Sequence, residues 1–365
     1  MGFHKCTDLD QVLTAARTLD ANKSIVTAKL TDIENFNTSL QSFDLNGQTV
    51  RLTEWALSQL LRKLKIPMSY YMACTVELRA KEITEALQKI NNKVEYFFKI
   101  KDDTVYGIVP KQYFNRTTAE FVAKCDQLPN SMHLTHYDMS LEHTTLRFIS
   151  DSVGFKGILA ATETEEEYHY GVDVHFSEVG FCNFLIQPII LRCSDNAVIA
   201  LDSKCFPTYK NLMMRFDAES ADANLQNVDT YVLSYITPYM QFMEDLKQIT
   251  FTDEPEVQND KGEYQKEFEK ALRLVANPQY LKDTKERIFN NYIEAVNPTL
   301  HGLLMAVVAS ELDNEEGMAK PAEDMLGRFV TRAVAIKADM KEHDEPFEFT
   351  LPAILRAFTK HSLRK

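Results

Sequence analysis

The chain has 365 residues, 45% hydrophobic and 25% charged, which is a globular composition long enough for a sizeable core and, on length alone, two domains. No apolar run approaches the roughly 18 residues of a membrane helix; LLMAVVA (303–309) comes nearest, and MGFHKCTDLDQ lacks the apolar stretch of a signal peptide. The net charge of −13 argues against nucleic acid for the chain as a whole.

The charge is unevenly spread. Residues 51–124 hold 13 Lys+Arg against 8 Asp+Glu, a net of +5, whereas residues 217–350 hold 13 against 27, a net of −14. The six cysteines are scattered without a C-x-x-C pair, as reduced thiols of a cytoplasmic protein would be.

In chain order, LTEWALSQLLRKLKIP (52–67) reads as an amphipathic helix. Thr53 caps it, Pro67 ends it, and Ala56, Leu57, Leu60, Leu61 and Leu64 form its apolar stripe. Its tryptophan, Trp55, reads as packing rather than a stacking platform. A second helix is expected at 75–90. VEYFFKI and TVYGIVP, flanking Lys101-Asp102-Asp103, predict a hairpin, and Thr117 with Glu120 has capping-box spacing before a short helix. From 131 to 202 the chain reads as strands: TTLRFIS, FKGILAA, YHYGVDVHF, FCNFLIQPIILR and AVIAL. Short turns or the acidic run Glu163–Glu167 separate them, so neighbours should be antiparallel. Helical patterns follow from Pro207 onward, with an aromatic stripe over 228–246 that reads as core. A polar stretch at 250–263 is the linker candidate, and further helices are expected near 263–276, 278–295, 298–312, 320–340 and 350–362.

The expected fold is therefore α+β. An antiparallel sheet (about 131–202) packs with helices in a domain spanning 1–250, and 251–365 form a mainly α-helical C-terminal region.

In YHYGVDVHF, His169, Asp173 and His175 share one face and Tyr168, Tyr170, Val172, Val174 and Phe176 the other. The histidines are about 20 Å apart along a strand, too far for one ion. Asp173 and His175 could share an ion only with a cross-strand neighbour such as Cys182 or Asn183. The face reads instead as a polar outer surface. No catalytic motif, no metal and no cofactor are expected. Cations interleaved with aromatics suit a single-strand groove, where phosphates need charge and unstacked bases need flat apolar partners. One such group is Lys99, Lys101, Lys111 and Arg116 with Tyr113; a second is Lys204, Lys210 and Arg215 with Tyr209.

Ser177-Glu178-Val179-Gly180, a corner between two apolar runs, is followed by a strand ending at Arg192. This arrangement resembles a motif of the phage/plasmid-like family, a mobile-element domain of unknown function. LTEWALSQLLRKLKIPMSYY, VYGIVPKQYFNRTTAEFV and FTLPAILRAFTKHS are similar to segments of the same family in the same order. Where the family commonly has a Cys-x-Asn-Gly turn after the arginine, this chain has Cys193-Ser194-Asp195-Asn196-Ala197. Ser177, Glu178, Gly180, Arg192 and Asn196 thus read as a structural motif, with Glu178 and Arg192 candidates to pair across the hairpin. The resemblance implies a mobile-element setting.

The expected function is non-catalytic: single-stranded nucleic-acid binding or annealing in phage or plasmid DNA metabolism, with a possible homo-oligomer and no membrane partner. The alternative is an acidic interaction protein that binds or blocks a host protein. A metal nuclease built on Glu178, Asp173 and His175 comes third.

Overall fold

The structure, a computed structural model, describes three parts of the chain. They are residues 4–201 apart from gaps at 40, 91–93, 112, 114–115, 130, 160–163, 183 and 194–197, the segment 319–342, and isolated positions between 272 and 357. The expected aromatic stripe (228–246), linker (250–263) and helices of the intervening region lie outside these residues.

The first elements are β1 (His4–Lys5), α1 (Leu9–Asp20), β2 (Lys23–Lys29), β3 (Ile33–Asn37), β4 (Ser42–Leu45) and β5 (Gln48–Leu52). Next come α2 (Glu54–Lys63), α3 (Met68–Ala73), α4 (Val76–Lys89), β6 (Glu95–Lys101), β7 (Thr104–Pro110) and α5 (Thr118–Lys124). Strands β8 (Met132–Met139), β9 (Thr144–Leu159), β10 (Thr164–Phe176), β11 (Leu185–Arg192) and β12 (Val198–Ala200) follow, and α6 (Ala319–Glu342) packs on β12.

Two six-stranded sheets result. The first, β1-β8-β9-β10-β11-β12, is antiparallel throughout; the second, β2-β6-β7-β5-β4-β3, contains one parallel pair, β5 with β7. Antiparallel sheets packed with helices agree with the expected class. The second sheet is an addition, because residues 23–52 carry short, polar-interrupted strands that the apolar periodicity does not reveal.

Local chemistry fixes the helix starts. Thr53 Oγ1 accepts from Ala56 N at 3.2 Å and Thr75 Oγ1 from Leu78 N at 3.4 Å, while Thr117 and Glu120 complete a reciprocal capping box. Helix α2 then lays Ala56, Leu57, Leu60 and Leu61 onto Phe43, Phe98, Ile100, Val105 and Ile108 of the second sheet. On the first sheet, Phe121 of α5 stacks on Phe176 with ring centroids 4.6 Å apart.

Three strand expectations need correction. TTLRFIS and FKGILAA are not two strands: β9 runs from Thr144 to Leu159, through the first and into the second, and the acidic run belongs largely to β10, pairing Glu165–Glu167 with Ile158–Lys156. The β10–β11 hairpin has a longer turn than expected, since β11 begins at Leu185, opposite His175. Finally, the face carrying Asp173 is not an outer surface, because Asp173 is fully buried and Arg147 and Gln187 nearly so.

Candidate functional site

The turn after β10 is built around Ser177. Its hydroxyl accepts from Val179 N and Phe181 N, at 3.3 and 2.9 Å, and donates to the Glu142 carbonyl. Gly180 takes φ +72°, the left-handed region that glycine enters without steric cost. This folds Val179 to the apex and drives it into the second sheet, against Tyr106 and Val109. Gly107 makes the room: a Cβ there would stand 2.2 Å from Val179 Cγ1. Trp55 Nε1 and Gln59 Nε2 both donate to the Val179 carbonyl, at 3.2 and 2.6 Å, and Gln59 Oε1 accepts from Ile108 N at 2.7 Å. The corner is thus a plug joining the first sheet to α2 and the second sheet.

Glu178 enters the same joint. One carboxylate oxygen pairs with Lys23 and the other lies 3.3 Å from Lys99 Nζ, while Lys23 also meets Asp20 at 2.6 Å. Asp20 in turn accepts from the backbone N–H of Ala119 at the start of α5. Burial chiefly, with Lys23 adding, pulls the Lys99 ammonium below its ordinary value against the opposing pull of Glu178. Burial, then the Glu178 and Asp20 carboxylates, pushes the Tyr106 phenol far up. Four charges from α1, β2, β6 and the corner therefore balance at the joint, and each is satisfied by another.

A second polar constellation crosses the first sheet. Lys5, His136, Arg147, Asp173 and Gln187 are consecutive cross-strand partners on β1, β8, β9, β10 and β11. Arg147 grips Asp173 with Nε and Nη2 at 2.8 and 2.9 Å. Beside this row, Thr145 Oγ1 lies 2.9 Å from His175 Nδ1, and His175 Nε2 lies 3.1 Å from Gln187 Oε1. Gln187 Nε2 donates to the Leu201 carbonyl. An amide oxygen can only accept, so Nε2 carries the proton and Nδ1 accepts from Thr145. Burial, then Arg147 and Lys5, holds the His136 imidazole below its ordinary value.

At Asp173 and His175 the atoms that could ligate a metal already have protein partners. The carboxylate is taken by Arg147 and both ring nitrogens by neighbours, while Cys182 lies in the turn with its thiol pushed up to about 12 by burial. His169 points elsewhere, with Nδ1 3.0 Å from the Ser150 carbonyl and Nε2 2.9 Å from Glu167.

The predicted binding residues are scattered in role. Lys99 is buried and cannot meet a phosphate; it sits on the joint face of β6 because Glu178 neutralises it there. Lys101 donates to the Leu19 carbonyl at 2.7 Å. Lys111 is exposed but paired with Glu95 at 3.0 Å, and Arg116 is half-buried. Tyr113 belongs to the corner, its hydroxyl donating to the Ser177 carbonyl at 3.3 Å. Lys204, Tyr209, Lys210, Arg215 and Asn196 lie outside the described residues. Arg192 ends β11 opposite Tyr168, at the far end of the hairpin from the corner. The seven-residue span from Leu185 is about 23 Å, which sets Arg192 far along the hairpin from Glu178, whose carboxylate is held instead by Lys23 and Lys99.

One surface feature was missed. On the outside of the joint, the Arg62 guanidinium lies 5.6 Å from the Trp55 ring, Trp55 meets Phe181 edge-on at 5.0 Å, and Phe181 stacks with His143 at 5.2 Å. Phe181 remains 43% exposed. Trp55 packs against the cluster of Tyr106, Val109 and Val179, as its helix position suggests, and only the fold brings Phe181 to it across 126 residues. Among the described residues no helix is long and apolar enough to cross a membrane. Comparisons with protein-family models, with curated proteins and with solved structures find no match.

Proposed function

We propose that the chain is a non-catalytic protein that binds single-stranded nucleic acid in the DNA metabolism of a phage or plasmid. The carrying observation is the surface row Arg62–Trp55–Phe181–His143, with Phe181 partly open to solvent. An exposed ring in line with a second ring and a guanidinium is a stacking platform for an unpaired base, and stacking of this kind tolerates any base. Of the basic residues that close α2, Arg62 is the one in this row; Lys63 turns instead onto the Tyr96 ring.

A non-catalytic role is supported by the state of the candidate catalytic groups. A metal nuclease would need Glu178, Asp173 and His175, and each has its polar atoms engaged by protein partners. The mobile-element setting rests on the resemblance of the corner and its neighbouring segments.

Anisotropy of a labelled single-stranded oligonucleotide tests the reading. Binding at about 50 mM salt should weaken steeply as salt rises, in proportion to the phosphates contacted. Replacing Lys204, Lys210 and Arg215 together with Ala should flatten that dependence by about two units. Absence of binding at about 50 mM salt would overturn the proposal and leave the acidic interaction protein, for which the net charge of −13 speaks.

A further inference from the structure

Among the described residues the two sheets have four edges, and three offer little to pair with. Strand β1 has two residues; β12 has three and carries α6. Strand β3 loses register between Glu34 and Asn37, with Asn35 at φ +49°. Short, covered or irregular strands are how folded proteins blunt an edge. Strand β2 is neither short nor irregular, and of the usual edge devices it carries only a lysine at each end. It keeps unbroken register with β6 over all seven residues, from Lys23 opposite Lys101 to Lys29 opposite Glu95, and contains no proline, glycine or bulge. Among the described residues nothing pairs with its outer side. Ser24, Thr27 and Lys29 are exposed, and Ile25, on the same face as Thr27 and Lys29, is 41% exposed.

The sequence of β2, Lys-Ser-Ile-Val-Thr-Ala-Lys, reads alike in both directions: cation, small, β-branched, Val, β-branched, small, cation. Self-complementarity of this kind is what a two-fold interface requires, because each residue must meet its counterpart from the other copy. We propose that β2 pairs antiparallel with β2 of a second copy about Val26, joining the two second sheets into one. In this register Ile25 faces Thr27 of the other copy, a favourable β-branched pair, and the two exposed isoleucines become diagonal neighbours. Ser24 faces Ala28. Lys23 faces Lys29, and the repulsion expected of that pair is offset. The Lys23 side chain is 9% exposed and its ammonium is already bound by Asp20 and Glu178, so Lys29 meets a neutralised group.

A seven-residue edge makes a small interface, for which a dissociation constant on the order of micromolar is expected. Sedimentation equilibrium of the full chain without nucleic acid, from about 1 to 200 μM, reads the dimer directly and independently of any nucleic-acid binding. Exchanging the two exposed residues, Ile25→Lys with Thr27→Lys, should raise the dissociation constant about tenfold or more, with circular dichroism and melting unchanged. Should the pair perturb folding, Thr27→Lys alone adds one charge per strand at an exposed position and should shift the constant in the same direction. A chain that stays monomeric throughout the range overturns the proposal. So does a dimer that the lysine variants leave untouched.

Discussion

The two sheets bury their faces by different physics. In the second sheet, Phe43, Phe98, Ile100, Val105 and Ile108 meet α2 in an apolar core, held by the non-directional exclusion of water. The first sheet carries an apolar core on one face, but across the other runs a row of cross-strand partners from Lys5 to Gln187. The contrast teaches where each sheet is vulnerable. Loss of a methylene from the second sheet costs in proportion to volume, whereas loss of one partner from the row strands a buried charge. The corner partakes of both, with Val179 as an apolar plug and Glu178 as an ion-paired one.

The largest effect should come from breaking the row. Asp173→Ala leaves the Arg147 guanidinium buried and unpaired and should cost about 3–5 kcal/mol in urea unfolding. Replacing both, Arg147→Met with Asp173→Leu, should cost less than the single change, because no lone charge remains. If the double variant is as unstable as the sum of the singles, the row does not act as a paired unit.

The corner comes next. Glu178→Gln removes the anion between Lys23 and Lys99 and should destabilise by about 3 kcal/mol. Gly107→Ala should cost about 1–3 kcal/mol by overpacking against Val179, and adding Val179→Ala should recover part of that loss. Strict additivity of those two changes would show that the plug and its socket are not in contact.

A smaller effect separates the sheets by pH. His136 binds its proton less readily in the folded chain than in the unfolded one. The unfolded chain therefore takes up more protons once pH drops below about 6.5, and stability should fall from there down to the lowered folded-state value. Melting temperatures of wild type and His136→Gln, compared from about pH 7.5 to 5, should diverge at the acid end. Parallel curves would mean that the imidazole titrates normally.

The smallest change in stability belongs to the surface row. Phe181→Ala should cost about 1 kcal/mol or less, yet weaken single-strand binding roughly five- to a hundredfold, the worth of one stacked base.

Much of the local structure was legible because its causes are local. Thr53, Thr117 with Glu120, and the apolar spacing of α2 announce helices within a few residues. The hairpin of β6 and β7 was readable from its period. In β9 the apolar pattern thins around Gly154 and Gly157, and one long strand looks like two. Lys99 is the clearest failure of the site reading. A lysine between Phe98 and Ile100 on an inner strand must be either exposed or neutralised, and the neutralising carboxylate lies 79 residues away. Spacing cannot reveal such a partner. The joint, the row and the Trp55–Phe181 contact all depend on pairings of that length, so the corner motif was visible while its surroundings were not.

Trp55 is the sole tryptophan of the chain, and it stands in the proposed platform, so its fluorescence reports the binding claim without any label. Titration with an unlabelled single-stranded oligonucleotide at about 50 mM salt should quench that emission saturably, with quenching reversed by salt and lost in Phe181→Ala. Emission that stays constant through a titration in which the oligonucleotide is shown by anisotropy to bind would contradict the placement of the interface at Trp55 and Phe181.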